Sequence, residues 1–150
     1  MSTSQLEMLT DLARDSRDHA GKVLAQERQT EQQTTAQLQS LLSYRAEYAE
    51  RLQKAMRDGI DPATMYNYQQ FLASLDTALS RARQALAAQQ ASVQQSQKNW
   101  QQEQRKLSSY DTLASRRLLE EHRRSERHEQ KTNDDLVTSR LARQHNDTPH

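Results

Sequence analysis

Few side chains in this sequence have the type and spacing for chemistry. His122 and His128 are six residues apart, about 240° around a helix, so the two imidazoles cannot share a metal ion. His128-Glu129 opens like the helical motif of zinc proteases, but that motif needs a second histidine four residues on, and the position is Thr132. Asp15 and His19 share one helical face and could hold a cation in principle; a solvated ion pair is the ordinary reading of the same spacing. No Gly-rich phosphate loop occurs. The chain has no cysteine, which excludes disulfides and thiolate ligands. These residues predict no catalysis, no metal and no cofactor.

Two clusters point instead to binding. Between residues 112 and 131, Arg116, Arg117, Arg123, Arg124, Arg127 and Lys131 face Glu120, Glu121, Glu126 and Glu129. Basic helices next to zippers bind DNA, but here acids interleave with bases, no Asn/Arg base-reading cluster is present and the pI is only about 8.1. Pairs four apart, such as Arg116–Glu120 and Arg117–Glu121, make this a salt-bridged, solvated face, and no nucleic-acid partner is expected. The second cluster is aromatic: Tyr44, Tyr48, Tyr66, Tyr68 and Phe71 are five of the seven aromatic residues. Packing explains rings at helical spacing; packing combined with a partner surface explains their concentration. On the residues alone both readings stay open.

The elements that must position these clusters are long helices. Leu, Ile, Val and Phe number 23 of 150, too few for an ordinary globular core, while the net charge is only +1 and there are two glycines and two prolines. From Met65, every seventh residue is apolar: Leu72, Leu79, Leu86, Val93, Trp100, Leu107 and Ala114. The positions three further on begin with Tyr68, Leu75 and Ala82 and then turn polar. A strict seven-residue repeat keeps one stripe on one face and selects a left-handed coiled coil. Leu6 to Arg57 carries a weaker stripe, written as Leu6, Ala13, Ala20, Glu27, Thr34, Leu41, Tyr48 and Ala55 at a, with Leu9, Ser16, Val23, Thr30, Gln37, Tyr44 and Arg51 at d. Leu24, Leu38 and Leu52 flank it at e.

The one clear break is Asp58-Gly59-Ile60-Asp61-Pro62, with Gly59 suited to close a helix, Asp61 to cap the next and Pro62 to its first turn. So short a loop forces an antiparallel pair. The expected fold is all-α: two long helices in an antiparallel coiled-coil hairpin, the second overhanging the first. The expected boundaries are a frayed 1–4, a hairpin over 5–118 with its turn at 58–62, a charged single helix over 119–140 and a disordered tail over 141–150. Residue i then lies level with roughly 119 − i. No leader pattern is visible and no apolar run nears the ~20 residues that cross a bilayer, so a cytoplasmic protein without membrane insertion is expected.

The run Gln37-Leu-Gln-Ser-Leu-Leu-Ser-Tyr-Arg-Ala-Glu-Tyr48, then Gly59-Ile60, then Tyr66-Asn-Tyr-Gln-Gln-Phe-Leu-Ala-Ser-Leu75, with the Lys98-Asn-Trp100 neighbourhood, resembles the FliJ family of flagellar export proteins. The resemblance implies a cytoplasmic stalk and chaperone-escort component of flagellar type III export, peripherally associated with the membrane export apparatus. It implies three partners: the export ATPase hexamer, whose assembly and activity the family promotes, the membrane export gate protein, and export chaperones. It assigns gate contact to Gln37, Leu41, Tyr44, Tyr48, Phe71, Leu75, Ala78 and Ala82; Ala82 departs from relatives with a longer polar side chain. In the expected register these eight residues pair level across the two helices. Contact with the ATPase ring is expected of Leu6, Leu9, Leu113, Arg116, Arg117 and Leu118, where the paired helices end and the charged helix begins. The competing readings are the equivalent stalk of a virulence type III system and a generic coiled-coil spacer.

Overall fold

A computed structural model describes residues 2–146. It holds two helices, α1 (Thr3–Asp58) and α2 (Pro62–Asn146), joined by Gly59, Ile60 and Asp61. The chain divides into two compact units, Arg14–Gln104 and Met1–Ala13 with Arg105–His150.

The turn lies in the first of these. Gly59 has φ +93°, a left-handed conformation that lets the chain leave α1. Asp61 then caps α2: its carboxylate accepts the Thr64 hydroxyl at 2.5 Å and the Thr64 backbone N–H at 3.4 Å. The Asp61 carbonyl accepts the Met65 N–H at 3.1 Å. The Thr64 hydroxyl bond, helped by the Thr64 N–H, holds the Asp61 carboxyl below the usual aspartate range.

On α2 the covered stripe is the one the seven-residue repeat marks. Every position from Met65 to Ala114 in that repeat, and every position three further on from Tyr68 to Tyr110, is half-buried or buried. On α1 the stripe is rotated by one residue from the expected seam. The a positions are covered, but their partners are Thr10, Arg17, Leu24, Glu31, Leu38, Arg45 and Leu52, one residue after the expected d set. Of that d set only Leu9 and Val23 are even half-buried; Ser16, Thr30, Gln37, Tyr44 and Arg51 are exposed. The reason is apolar gain: turning Leu24, Leu38 and Leu52 inward removes more hydrocarbon from water than turning Val23, Gln37 and Arg51 inward. Leu24 is 7% exposed as a result.

The polar residues of the weak central seam are matched. Gln89 Nε2 donates to the Glu27 carbonyl oxygen at 2.9 Å and to Glu27 Oε2 at 2.6 Å. Thr30 and Thr34 return their hydroxyls to the carbonyls four residues back, at 3.1 and 2.9 Å. Among the described residues no buried side-chain nitrogen or oxygen lacks a partner. Gly21 has a packing reason too: a Cβ there would come within 3.3 Å of Trp100 Nε1, so its absence makes room for the indole.

In the other unit, Leu6, Ala13 and Leu107 are the buried apolar residues, each 4% exposed or less. In the stretch expected to fray, 1–4, the described residues Thr3 and Ser4 lie in α1. Ser2 and Gln5 close a capping box, with Ser2 N–H donating to Gln5 Oε1 at 3.0 Å and Gln5 N–H to Ser2 Oγ at 3.2 Å. Helix α1 therefore begins at Thr3. At the other terminus α2 runs to Asn146, past the boundary expected at residue 140, because nothing in Leu141-Ala-Arg-Gln-His145 breaks a helix. The rest of the expected tail, 147–150, lies outside the described residues. From Leu118 to His145 every side chain is exposed.

Candidate partner-binding surface

Beside the turn the stripe rotation decides which rings face outward. Tyr44, off the seam, is 55% exposed. Tyr48, on it, is half-buried and meets Phe71 of α2 with ring centroids 4.3 Å apart and planes tilted at 46°. Phe71 still leaves 41% of its surface open. The Arg51 guanidinium lies 5.0 Å from the Tyr48 ring centre and is held by Glu47 at 2.8 Å, so an ion-paired guanidinium lies over the Tyr48 ring.

One turn further from the loop, Arg45 clasps Asp76 across the helices, Nε to Oδ1 at 2.5 Å and Nη2 to Oδ2 at 3.4 Å. This donation, more than the charge attraction, lowers the Asp76 carboxyl and raises the Arg45 guanidinium from their ordinary values. Met56 and Tyr66, both at least half exposed, add apolar surface beside the turn. The whole is a ridge of rings edged by fixed charge. Such a surface is suited to anchoring in a partner's pocket and unsuited to moving protons or holding a small molecule.

Of the residues assigned to gate contact, Gln37, Tyr44 and Phe71 are exposed; Leu41, Tyr48, Leu75, Ala78 and Ala82 are half-buried along the seam. Tyr48 and Phe71 touch directly. At the next rung the link between helices is Arg45–Asp76, one residue beyond Tyr44 and Leu75 on each strand. Neither Arg45 nor Asp76 was picked out by sequence reasoning, although the opposite charges total 121 in residue number, close to the expected register. The residues assigned to the ATPase ring lie in the other unit. Leu6 is 3% exposed and packs inward, Leu9 and Arg117 are half-buried, and Leu113, Arg116 and Leu118 are exposed, Leu118 by 68%.

The residues considered for chemistry, Asp15, His19, His122 and His128, are all exposed. Asp15 and His19 line an open groove with Asn99, Gln102 and Glu103. His122 pairs with Glu126 at 2.9 Å on an exposed face. Among the described residues no group of three or more His, Asp or Glu could hold a metal ion, and no helix is long and apolar enough to cross a membrane.

The family model and the two sequence relatives agree on one family. The family model described as "Flagellar FliJ protein" matches residues 1–146. A flagellar FliJ protein of Salmonella typhi is 34% identical over 122 residues, covering 79% of this chain and 83% of the relative. That of Escherichia coli K12 is 33% identical over the same length. Among solved structures, a putative YscO homolog from Chlamydia trachomatis shares the fold, with a TM-score of 0.68, 12% identity and coverage of 97% of this chain and 94% of that one. With matches of this identity and coverage, the chain belongs to the flagellar FliJ protein family.

Proposed function

We propose that this protein is a noncatalytic stalk and adaptor of the flagellar type III protein export apparatus. One end engages the export ATPase hexamer and promotes its assembly and activity. The ridge beside the turn engages the membrane export gate, and export chaperones are further partners. Family membership supports the flagellar assignment over a virulence stalk or a generic spacer. The single observation that carries the adaptor role is the Tyr44–Tyr48–Phe71 ridge, where Tyr44 and Phe71 stay exposed around a half-buried Tyr48 next to a fixed ion pair. A coiled coil serving only as a spacer gains nothing from exposing them.

The gate arm is tested by binding of the cytoplasmic gate domain to the chain and to its Tyr44→Ala/Tyr48→Ala/Phe71→Ala variant. Affinity falls at least about tenfold while far-UV helicity is kept; unchanged affinity ends the gate assignment. The ATPase arm is tested by ATP hydrolysis of the cognate hexamer with the full chain and with residues 112–150 deleted. Exposed Leu113, Arg116 and Leu118 are expected to make the contact together with half-buried Leu9 and Arg117, while buried Leu6 supports them. Stimulation is lost on deletion; full stimulation by the truncated chain removes this assignment.

A further inference from the structure

A seven-residue repeat says which face is buried but not which rung meets which. Sliding α2 by one heptad leaves Leu72, Leu79, Leu86 and Val93 still facing the seam. The turn fixes alignment at Gly59 to Pro62, yet the helices stay paired for some forty residues beyond it. Unwinding about seven residues of one helix beside the turn would let the distant portion slide by one heptad. Apolar patterning alone therefore leaves several alignments close in energy.

We propose that Gly21, Glu27, Gln89 and Trp100 form a register lock, a device that selects one alignment far from the turn. It has two parts about 9 Å apart along α1. In the first, Gln89 makes two hydrogen bonds to Glu27, one to its backbone and one to its side chain. A slip of one heptad sets Gln89 opposite Ala20 or Thr34 and Glu27 opposite Ala82 or Ser96. Either arrangement breaks the paired contact and leaves the Glu27 carboxylate half-covered without Gln89's amide. In the second part the indole of Trp100 lies so close to Gly21 that a Cβ there would meet Nε1 at 3.3 Å and press on the ring. The same slips bring Trp100 against Arg14 or Arg28. Between the two parts Leu24 and Ser96 are 7% and 8% exposed, the tightest rung of this stretch. A polar layer in an apolar seam lowers stability and raises specificity, which separates a lock from an ordinary stabilising contact. The inference does not depend on what the protein binds.

The test uses the full chain, whose lack of cysteine makes engineered thiols unambiguous. Arg17 and Gln104 are bonded across the seam at 3.3 Å. The pair Arg17→Cys/Gln104→Cys reports the native alignment, and Arg17→Cys/Gln97→Cys reports a slip of one heptad; a short bifunctional thiol reagent is read by gel mobility. In the otherwise native chain only the first pair cross-links. With Glu27→Leu/Gln89→Leu added, the slipped pair rises at least about threefold while the melting temperature increases, the joint signature of lost specificity and gained apolar burial. Gly21→Ala, added separately, also raises the slipped pair and keeps helicity. The proposal is overturned if the slipped pair stays at background in folded Glu27→Leu/Gln89→Leu, if it forms equally in the native chain, or if the double leucine variant melts lower without slipping.

Discussion

The rings of Tyr48 and Phe71 lie 4.3 Å apart, centroid to centroid, on opposite helices. Their contact ties the two strands together and at the same time leaves 41% of Phe71 open. Stability and binding therefore draw on the same pair here, and they separate by mutation. Tilted aromatic pairs contribute about 0.5–1.5 kcal/mol beyond area burial. A double-mutant cycle of Tyr48→Ala and Phe71→Ala, read by denaturant unfolding, is expected to return a coupling energy in that range. Tyr44→Ala is expected within about 0.5 kcal/mol of the parent, since Tyr44 stands off the seam.

Gly59→Ala destabilises the hairpin. Nothing lies within 4 Å of the place a Cβ would occupy, so the effect comes wholly from the backbone at φ +93°. The expected loss is about 1–2 kcal/mol, the ordinary penalty of a left-handed L residue. Thermal or urea unfolding checks it, and a neutral result would mean that the turn relaxes to another conformation.

Gly21→Ala has two opposing effects. The helix gains about 1 kcal/mol in propensity, while the new methyl meets the Trp100 indole at 3.3 Å and the ring must shift. The net change is expected near zero. In a Trp100→Leu background the same substitution is expected to stabilise by the full propensity gain, and the difference between backgrounds isolates the clash.

Acid weakens the ion-paired end. Arg45 lowers the Asp76 carboxyl by hydrogen bonding, and Thr64 does the same for Asp61. A carboxyl whose folded value lies below its unfolded value, about 3.9, stabilises the fold above that pH. The contribution is lost as pH falls through the lower folded value. Melting temperature is expected to be insensitive to these groups from about pH 5 to 8 and to fall below about pH 4. Asp76→Asn flattens part of that acid limb.

How much of this was legible in the sequence depends on what a single strand can encode. The α2 stripe was readable because Met65 to Ala114 offers one apolar set without a rival. The turn was readable because Gly59, Asp61 and Pro62 each have one conformational use. The α1 stripe was not, since Leu9 and Val23 mark one seam and Leu24, Leu38 and Leu52 its neighbour. The choice depends on summed burial against α2, which a single helix pattern does not contain. That ambiguity hid the exposure of Tyr44 and the role of Arg45. The concentration of rings beside the turn was visible from spacing; the fit of Trp100 to Gly21 was not, because periodicity names a face and not the small residue opposite a large one. The capping box of Ser2 and Gln5 satisfies a rule that sequence reasoning could have applied and did not.

Trp100 is the single tryptophan, and its indole rests on the bare backbone of Gly21. The native emission spectrum is thus a built-in gauge of strand separation far from the turn. With excitation selective for the indole over the five tyrosines, a partner that pries the helices open there would announce itself as a red shift, with no dye attached.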